Sequence, residues 1–240
     1  MTMAAYGSNF DQSYLMLCEE LEEAYTKREE ELVFLENIIS KADMDIDSLE
    51  KYRRTLIVML YSYFEGFCKQ SLISYIDHLN KLGLQVKDVK ESLAAASLNT
   101  SFKRLFDPLN KPIEFDDKFI KEDAILHKYA RRKQFMENYF DCMNTPVKLN
   151  DEIIDTKSNL YSSVLKKLLF MLDMDYTIVE EFQGDVNYIV NRRNSIAHGS
   201  LEKGIKDPEY NKYRNSVITL MKNVKDLIKE SFRNKLFLRS

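Results

Sequence analysis

Tryptophan is absent from this chain, and glycine and proline are scarce, at 6 and 4 of 240 residues. So few turn-forming residues argue against an all-β protein, and a 45% hydrophobic content argues against disorder; a compact helical protein is expected. Its bulk comes from 14 Tyr and 14 Phe. Cysteine is also sparse. Cys18, Cys68 and Cys142 are odd in number and lack metal-ligand spacing, which excludes a disulfide framework and leads us to expect reduced thiols and a cytoplasmic location. Nowhere do 18 apolar residues run together, and Met1 to Asn9 lack the basic-then-apolar order of a signal peptide, so no membrane partner is expected. There is no surplus of positive charge: the formal net charge is −3, and RNA binding would need a local basic patch. Internal repeats, sustained heptads and glycine-rich phosphate loops are missing too, and Gly199 and Gly204 match no nucleotide-binding motif.

What is present is helical periodicity. Phe10, Tyr14, Leu17, Leu21, Ala24, Leu32, Leu35 and Ile39 recur at three- and four-residue steps, interrupted only by Arg28, and predict a first helix starting near Asn9, with Ser8 and Asp11 as an acidic capping box. Glu19, Glu20, Glu22, Glu23, Glu29, Glu30 and Glu31 form its acidic outer face, expected to be solvated. A second helix is predicted from a cap at Asp47 to Lys81, before Gly83. It carries one stripe of Leu49, Leu56, Leu60, Tyr63 and Phe67 and another of Val58, Tyr61, Leu72 and Ile76, so it should lie sandwiched between neighbours. Glu65 falls within the second stripe and requires a cation there, while Gly66 suggests close approach of another backbone.

Residues 84–150 read as a helical insertion or cap on one domain spanning 1–240. Short helices are expected over Val89 to Leu98 and Ser101 to Phe106, a loop around Pro108, Pro112 and Asp116-Asp117, and one helix over Ile120 to Met143. That last helix carries apolar Ile125, Tyr129, Phe135, Met136, Tyr139 and Phe140. It also holds the densest basic cluster, Lys128, Arg131, Arg132 and Lys133, which is either a solvated face or a patch that tracks RNA phosphates. His78 and His127 have no ligand partners at helical spacing, so no metal is expected. Asp155 or Thr156 can cap a helix through Leu172, and Asp207-Pro208 opens a final helix carrying Tyr210, Tyr213, Val217, Leu220, Met221, Val224, Leu227, Ile228 and Phe232.

Between these lies Asn191-Arg192-Arg193-Asn194-Ser195-Ile196-Ala197-His198-Gly199. At about 100° per residue, Val186, Ile189, Val190, Ile196 and Ala197 share one arc of a helix, with Arg193 in its middle. A charge on an apolar arc is costly unless a carboxylate, a phosphate or a second chain meets it. His198 falls on the opposite face with Asn187, Asn191 and Asn194, one residue before a glycine C-cap.

Arg193-Asn194-Ser195-Ile196-Ala197-His198-Gly199 resembles the Arg-polar-x-x-x-His signature of the HEPN superfamily. Tyr61-Ser62-Tyr63-Phe64-Glu65-Gly66-Phe67 and Thr156-Lys157-Ser158-Asn159-Leu160 look like the MAE-type HEPN nucleases in particular. The resemblance implies an all-α bundle of four to five helices, usually homodimeric, with the motifs of both protomers lining one cleft. It also implies metal-independent endoribonuclease activity without a cofactor, on an RNA substrate. Arg193 and His198 would be catalytic and Asn194 the motif's polar residue. Some branches place Tyr two residues after the His; here that position is Ser200. A role as a growth-arresting toxin or antiphage effector, with an antitoxin or defence-system partner, follows from the family alone, and non-catalytic members that bind RNA or a partner protein also exist.

The chemistry is consistent with these residue types. Histidine, with an unperturbed pKa of about 6.5, serves as acid or base near neutrality, and arginine can hold two phosphate oxygens at once. A single His198 cannot supply both acid and base, whereas two across a dimer can. Asn194 would orient the imidazole, Glu65 would pair with Arg193, and Arg192 would be peripheral, either solvated or a further phosphate contact. Alternatively, Arg193 and Glu65 form a buried ion pair that sets helix register, with His198 resting on the helix dipole.

Overall fold

The computed structural model describes residues 3–41, 43–112, 123–200 and 203–239, with the side chains of residues 3–8 and 39–40 left aside. The first helix, expected to start near Asn9 with a cap at Ser8, instead begins at Met3 and runs through Ser8; the packing of Ile39, the Asp116-Asp117 loop and the start of a helix at Ile120 lie outside what is described. Among the described residues the protein consists of nine α-helices and no strands: α1 (Met3–Lys41), α2 (Ile46–Lys81), α3 (Glu91–Ser97), α4 (Asn99–Phe106), α5 (Ala124–Glu137), α6 (Tyr139–Met143), α7 (Ser162–Met171), α8 (Gln183–Ala197) and α9 (Asp207–Arg233).

α2 is the centre. Leu56, Ile57, Leu60, Phe64, Phe67, Leu72, Tyr75 and Ile76 bury it on several sides, as its two apolar stripes require. α1 packs along one side through Leu17, Leu21, Ala24 and Leu32, α9 along another through Val217, Leu220, Val224, Ile228 and Phe232, and α8 rests on both α2 and α9. The cap of α2 is Asp45, which accepts the Ser48 N–H at 2.7 Å, instead of Asp47, which pairs with Lys51. The acidic face of α1 is only partly solvated. Glu22 binds Lys225 and Lys229 of α9, and Glu20 meets the buried His78. Gly66 meets a side chain, not a backbone: a Cβ there would lie 3.4 Å from the Arg28 guanidinium, which donates to the Ala24 carbonyl and to Gln70.

Residues 84–150 begin and end at one place. Val86 N–H donates to the Thr145 carbonyl at 3.0 Å and Val147 N–H to the Leu84 carbonyl at 2.7 Å, while Asn80 of α2 clamps the backbone of Leu149 in both directions. Leu84, Val86, Val89, Leu93, Val147 and Leu149 belong to the same buried core as the long helices. Farther out, the single helix expected up to Met143 is broken at Asn138 into α5 and α6, where the Asn138 side chain donates back to the Gln134 carbonyl. Ala130 is buried and Phe135 packs against Phe102, but several of its other apolar residues do not pack inward. Ile125 is 81% exposed, Tyr129 66% and Met136 65%.

Candidate functional site

α8 begins inside the bundle and ends outside it. Val186, Ile189 and Val190 recur at helical spacing and are buried, whereas Arg192 to Ile196 are half-buried and Ala197 to Ser200 exposed. Asp185 in the first turn suits the positive end of the helix dipole and binds Lys212 and Ser216 of α9. On the other face Asn187 accepts the Ser162 N–H at 3.0 Å and Asn191 accepts the Tyr161 hydroxyl at 2.9 Å. The helix ends in a Schellman motif, with Gly199 at φ +69, its N–H on the Ile196 carbonyl and the Ser200 N–H on the Ser195 carbonyl. Glycine is needed there for its left-handed backbone, and it leaves His198 as the exposed capping residue.

Arg193 leans back from this end toward α2. Its guanidinium carbon lies 5.0 Å from the centre of the Tyr61 ring, and Nη1 donates to Asn194 Oδ1 at 2.9 Å. Tyr61 is fixed in turn, because its hydroxyl accepts the Leu160 N–H at 2.9 Å. Burial and then the Glu65 carboxylate one turn along raise the Tyr61 pKa well above its ordinary value, against the opposing pull of the Leu160 N–H and Arg193. The ring is therefore a neutral seat for a permanent cation.

Two expected contacts are replaced. Among the described residues, no ion pair joins Glu65 to Arg193; Glu65 faces the hydroxyl of the tyrosine on which Arg193 rests. Asn194 does not orient the imidazole of His198. Its side-chain oxygen is held by Arg193, a charged and hence stronger donor, and only its backbone carbonyl meets the His198 N–H.

The other basic residues are divided by their surroundings. Arg192, expected to be solvated or open to phosphate, donates to the Lys203 and Gly204 carbonyls and lies 5.9 Å over the Tyr188 ring. Those carbonyls belong to a loop pinned on α2. Ile205 N–H donates to the Glu50 carbonyl at 2.9 Å, and a Cβ on Gly204 would come within 2.5 Å of the Glu50 Cβ. Arg131 is only 8% exposed and donates to the carbonyls of Leu105 and Asn110, so its charge is enclosed between α5 and the end of α4 with the loop after it. Lys128, Arg132 and Lys133 do remain exposed, Lys133 beside Glu137.

The Thr156 to Leu160 stretch is not the start of a helix. Lys157 and Ser158 take left-handed backbone at φ 57 and 61, supported by Asp155, which accepts the Lys157 N–H at 2.8 Å. α7 starts at Ser162, capped from α8 by Asn187. Tyr61 as the seat of Arg193, and Asn187 and Asn191 as clamps on the approach to α7, were not assigned these roles from sequence. Their only sequence signals are a tyrosine in the middle of the core helix and asparagines four residues apart. Among the described residues no three His, Cys, Asp or Glu side chains gather as a metal site, and no helix is long and apolar enough to cross a membrane.

An all-α bundle of this kind agrees with the HEPN fold that the resemblance implied. The RiboL-PSP-HEPN family model matches residues 23–230, and the chain belongs to that family. No curated protein and no solved structure matches it.

Proposed function

We propose that the chain is a metal-independent endoribonuclease whose site is completed across a homodimer, with residues 1–240 forming one domain and 84–150 its cap. The observation that carries this reading is the seat of Arg193. A guanidinium on a neutral ring, with one amide as its hydrogen-bond partner, keeps most of its donors for a phosphate. In the reaction a base removes the 2′-OH proton, the 2′-oxygen attacks phosphorus, the P–O5′ bond breaks and an acid protonates the departing oxygen. Arg193 stabilises the charge that develops on the phosphate, and the two His198 side chains of a dimer act as base and acid. Asn194 holds the Arg193 fork, and Glu65 acts through Tyr61. Lys128, Arg132 and Lys133 are peripheral phosphate contacts. The closer likeness to MAE-type nucleases rests on the wording of residues 61–67 and 156–160. A cytoplasmic toxin or antiphage effector is the corresponding biological role.

The test is incubation of the purified protein with total RNA in EDTA. Fragments ending in 2′,3′-cyclic phosphate, absent for Arg193→Ala and His198→Ala while sedimentation still reports a dimer, are expected. A need for added divalent metal, or a monomer at micromolar concentration, overturns the mechanism. A second reading, a non-catalytic module that regulates a partner protein, draws on the exposed Ile125, Tyr129, Met136 and Phe140 of the insertion, an unusual quantity of apolar surface for a free helix pair. In that case wild-type protein leaves a broad RNA panel intact.

A further inference from the structure

A second basic feature lies between the insertion and the bundle. A polar groove of about 340 Å³ is walled by the end of α3 and start of α4 on one side and by residues 148–157 and α7 on the other. Lys103, Lys148, Lys157 and Lys167 line it against two carboxylates, Glu152 and Asp155. Asp155 is already neutralised locally, since the Lys157 ammonium lies 2.9 Å away. Lys103, Lys148 and Lys167 are exposed, and no hydrogen bond or ion pair of their side chains is recorded among the described residues. The walls are tied together, because the Lys148 N–H donates to Ser97 Oγ at 3.0 Å and the next residue, Leu149, is clamped by Asn80.

The groove lies near the Arg193 site, to which it is tied through buried backbone and ring contacts. Lys157 is three residues from Leu160, a span of at most about 10 Å. Leu160 N–H is bonded to Tyr61, and Tyr61 carries Arg193. Flexible ammonium groups are point charges that follow a phosphate backbone without reading bases. The exposed glutamates of α1 repel the same backbone.

We infer that this groove binds the backbone of a single-stranded RNA as it enters the Arg193 and His198 site, adding affinity that grows with strand length without taking part in bond cleavage. The inference rests on the ribonucleic-acid reading of that site. It gives the insertion a purpose: α3 and α4 supply one bank of a channel whose other bank belongs to the bundle.

The experiment uses the full chain carrying Arg193→Ala, and the fluorescence anisotropy of a labelled 20-nucleotide single-stranded RNA between 50 and 300 mM KCl. Adding K103E, K148E and K167E is expected to weaken binding more than about 10-fold at 100 mM salt. It should also make the slope of log affinity against log salt shallower by about 2, three phosphate contacts at roughly 0.7 each. A control of equal charge, K27E, K69E and K222E, is expected to change the slope by less than about 0.5. With Arg193 and His198 intact, the groove variant should raise KM for a long substrate, leave kcat unchanged and cleave a dinucleotide normally. Undiminished binding in a variant with unchanged circular dichroism, or an equal loss in the control, overturns the groove and leaves the ribonuclease reading standing. Absence of RNA binding by the parent protein overturns both.

Discussion

Arg131 on α5 and Arg193 at the end of α8 are both arginines set where packing would favour an apolar residue, and their surroundings differ in kind. Arg131 is enclosed and its fork is directed at two backbone carbonyls. Arg193 rests on an aromatic face and shares a single side-chain amide. Carbonyls convert an arginine into a bracket that joins loops; a ring supports the cation from below and leaves its edge open. Arg192, beside Arg193 in sequence, falls with Arg131, since it holds the Lys203 and Gly204 carbonyls. Position in a basic cluster therefore says less about phosphate binding than the acceptors already facing each guanidinium.

The contrast is sharpest in activity. Arg193→Ala is expected to lower RNA cleavage by about 10²–10³-fold, the usual loss on removing one preorganised stabiliser of developing charge, while the thermal midpoint moves by only a few degrees. Cleavage of a defined oligonucleotide and a melt on the same sample check both halves. Arg131→Ala should do the reverse. It costs about 3 kcal/mol or more because two charged-donor hydrogen bonds, at about 1.5–3 kcal/mol each, are lost, read as a lower urea midpoint, with cleavage by the folded fraction kept within a few-fold. Equal losses of activity in the two variants would erase the distinction.

Smaller effects sharpen the same division. Gly204→Ala, which places a Cβ against the backbone of Glu50, is expected to destabilise by about 1–3 kcal/mol through overpacking and to loosen the loop that Arg192 holds. Tyr61→Phe keeps the ring beneath Arg193 but leaves the Leu160 N–H unpaired, at about 1 kcal/mol or somewhat more. Cleavage should fall less than for Tyr61→Leu, which removes the seat; the two rates side by side separate ring from hydroxyl. Least local is the alkaline response. Burial raises the pKa of Tyr61, Tyr75 and Tyr210, so the folded state favours their protonated forms. Their contribution is complete below the unfolded value of about 10 and is lost as pH rises beyond it. Unfolding free energy followed by denaturant titration should therefore show no tyrosine-linked fall between pH 6 and 9 and a decline above about 10.

The long helices were legible because apolar residues at three- and four-residue steps leave few alternatives; α2 and α9 follow that reading closely, and α1 does so apart from a start at Met3, ahead of its cap signal. So was the end of α8, where Gly199 marks the reversal and exposes His198. Local signals failed where a distant residue takes over a local task. Asp155 and Thr156 have the chemistry of helix caps, yet α7 starts at Ser162 because Asn187, 25 residues on, satisfies its first N–H. Asp47 looked like a cap, but Asp45 sits at the extended residue that precedes the helix. The roles of Arg131 and Arg192 depend on carbonyls 26 and 11 to 12 residues away, which periodicity does not report. Glu65 was seen to need a partner, but the intermediary, Tyr61, lay hidden among the apolar residues of its own helix.

The meeting of Ser97 and Lys148 has an evolutionary consequence. Residues 97 and 148 sit side by side, so the ends of the segment between them stay fixed. Because loop-closure entropy changes slowly with length, the helices between these two points can be lengthened, shortened or exchanged while the long helices keep their register.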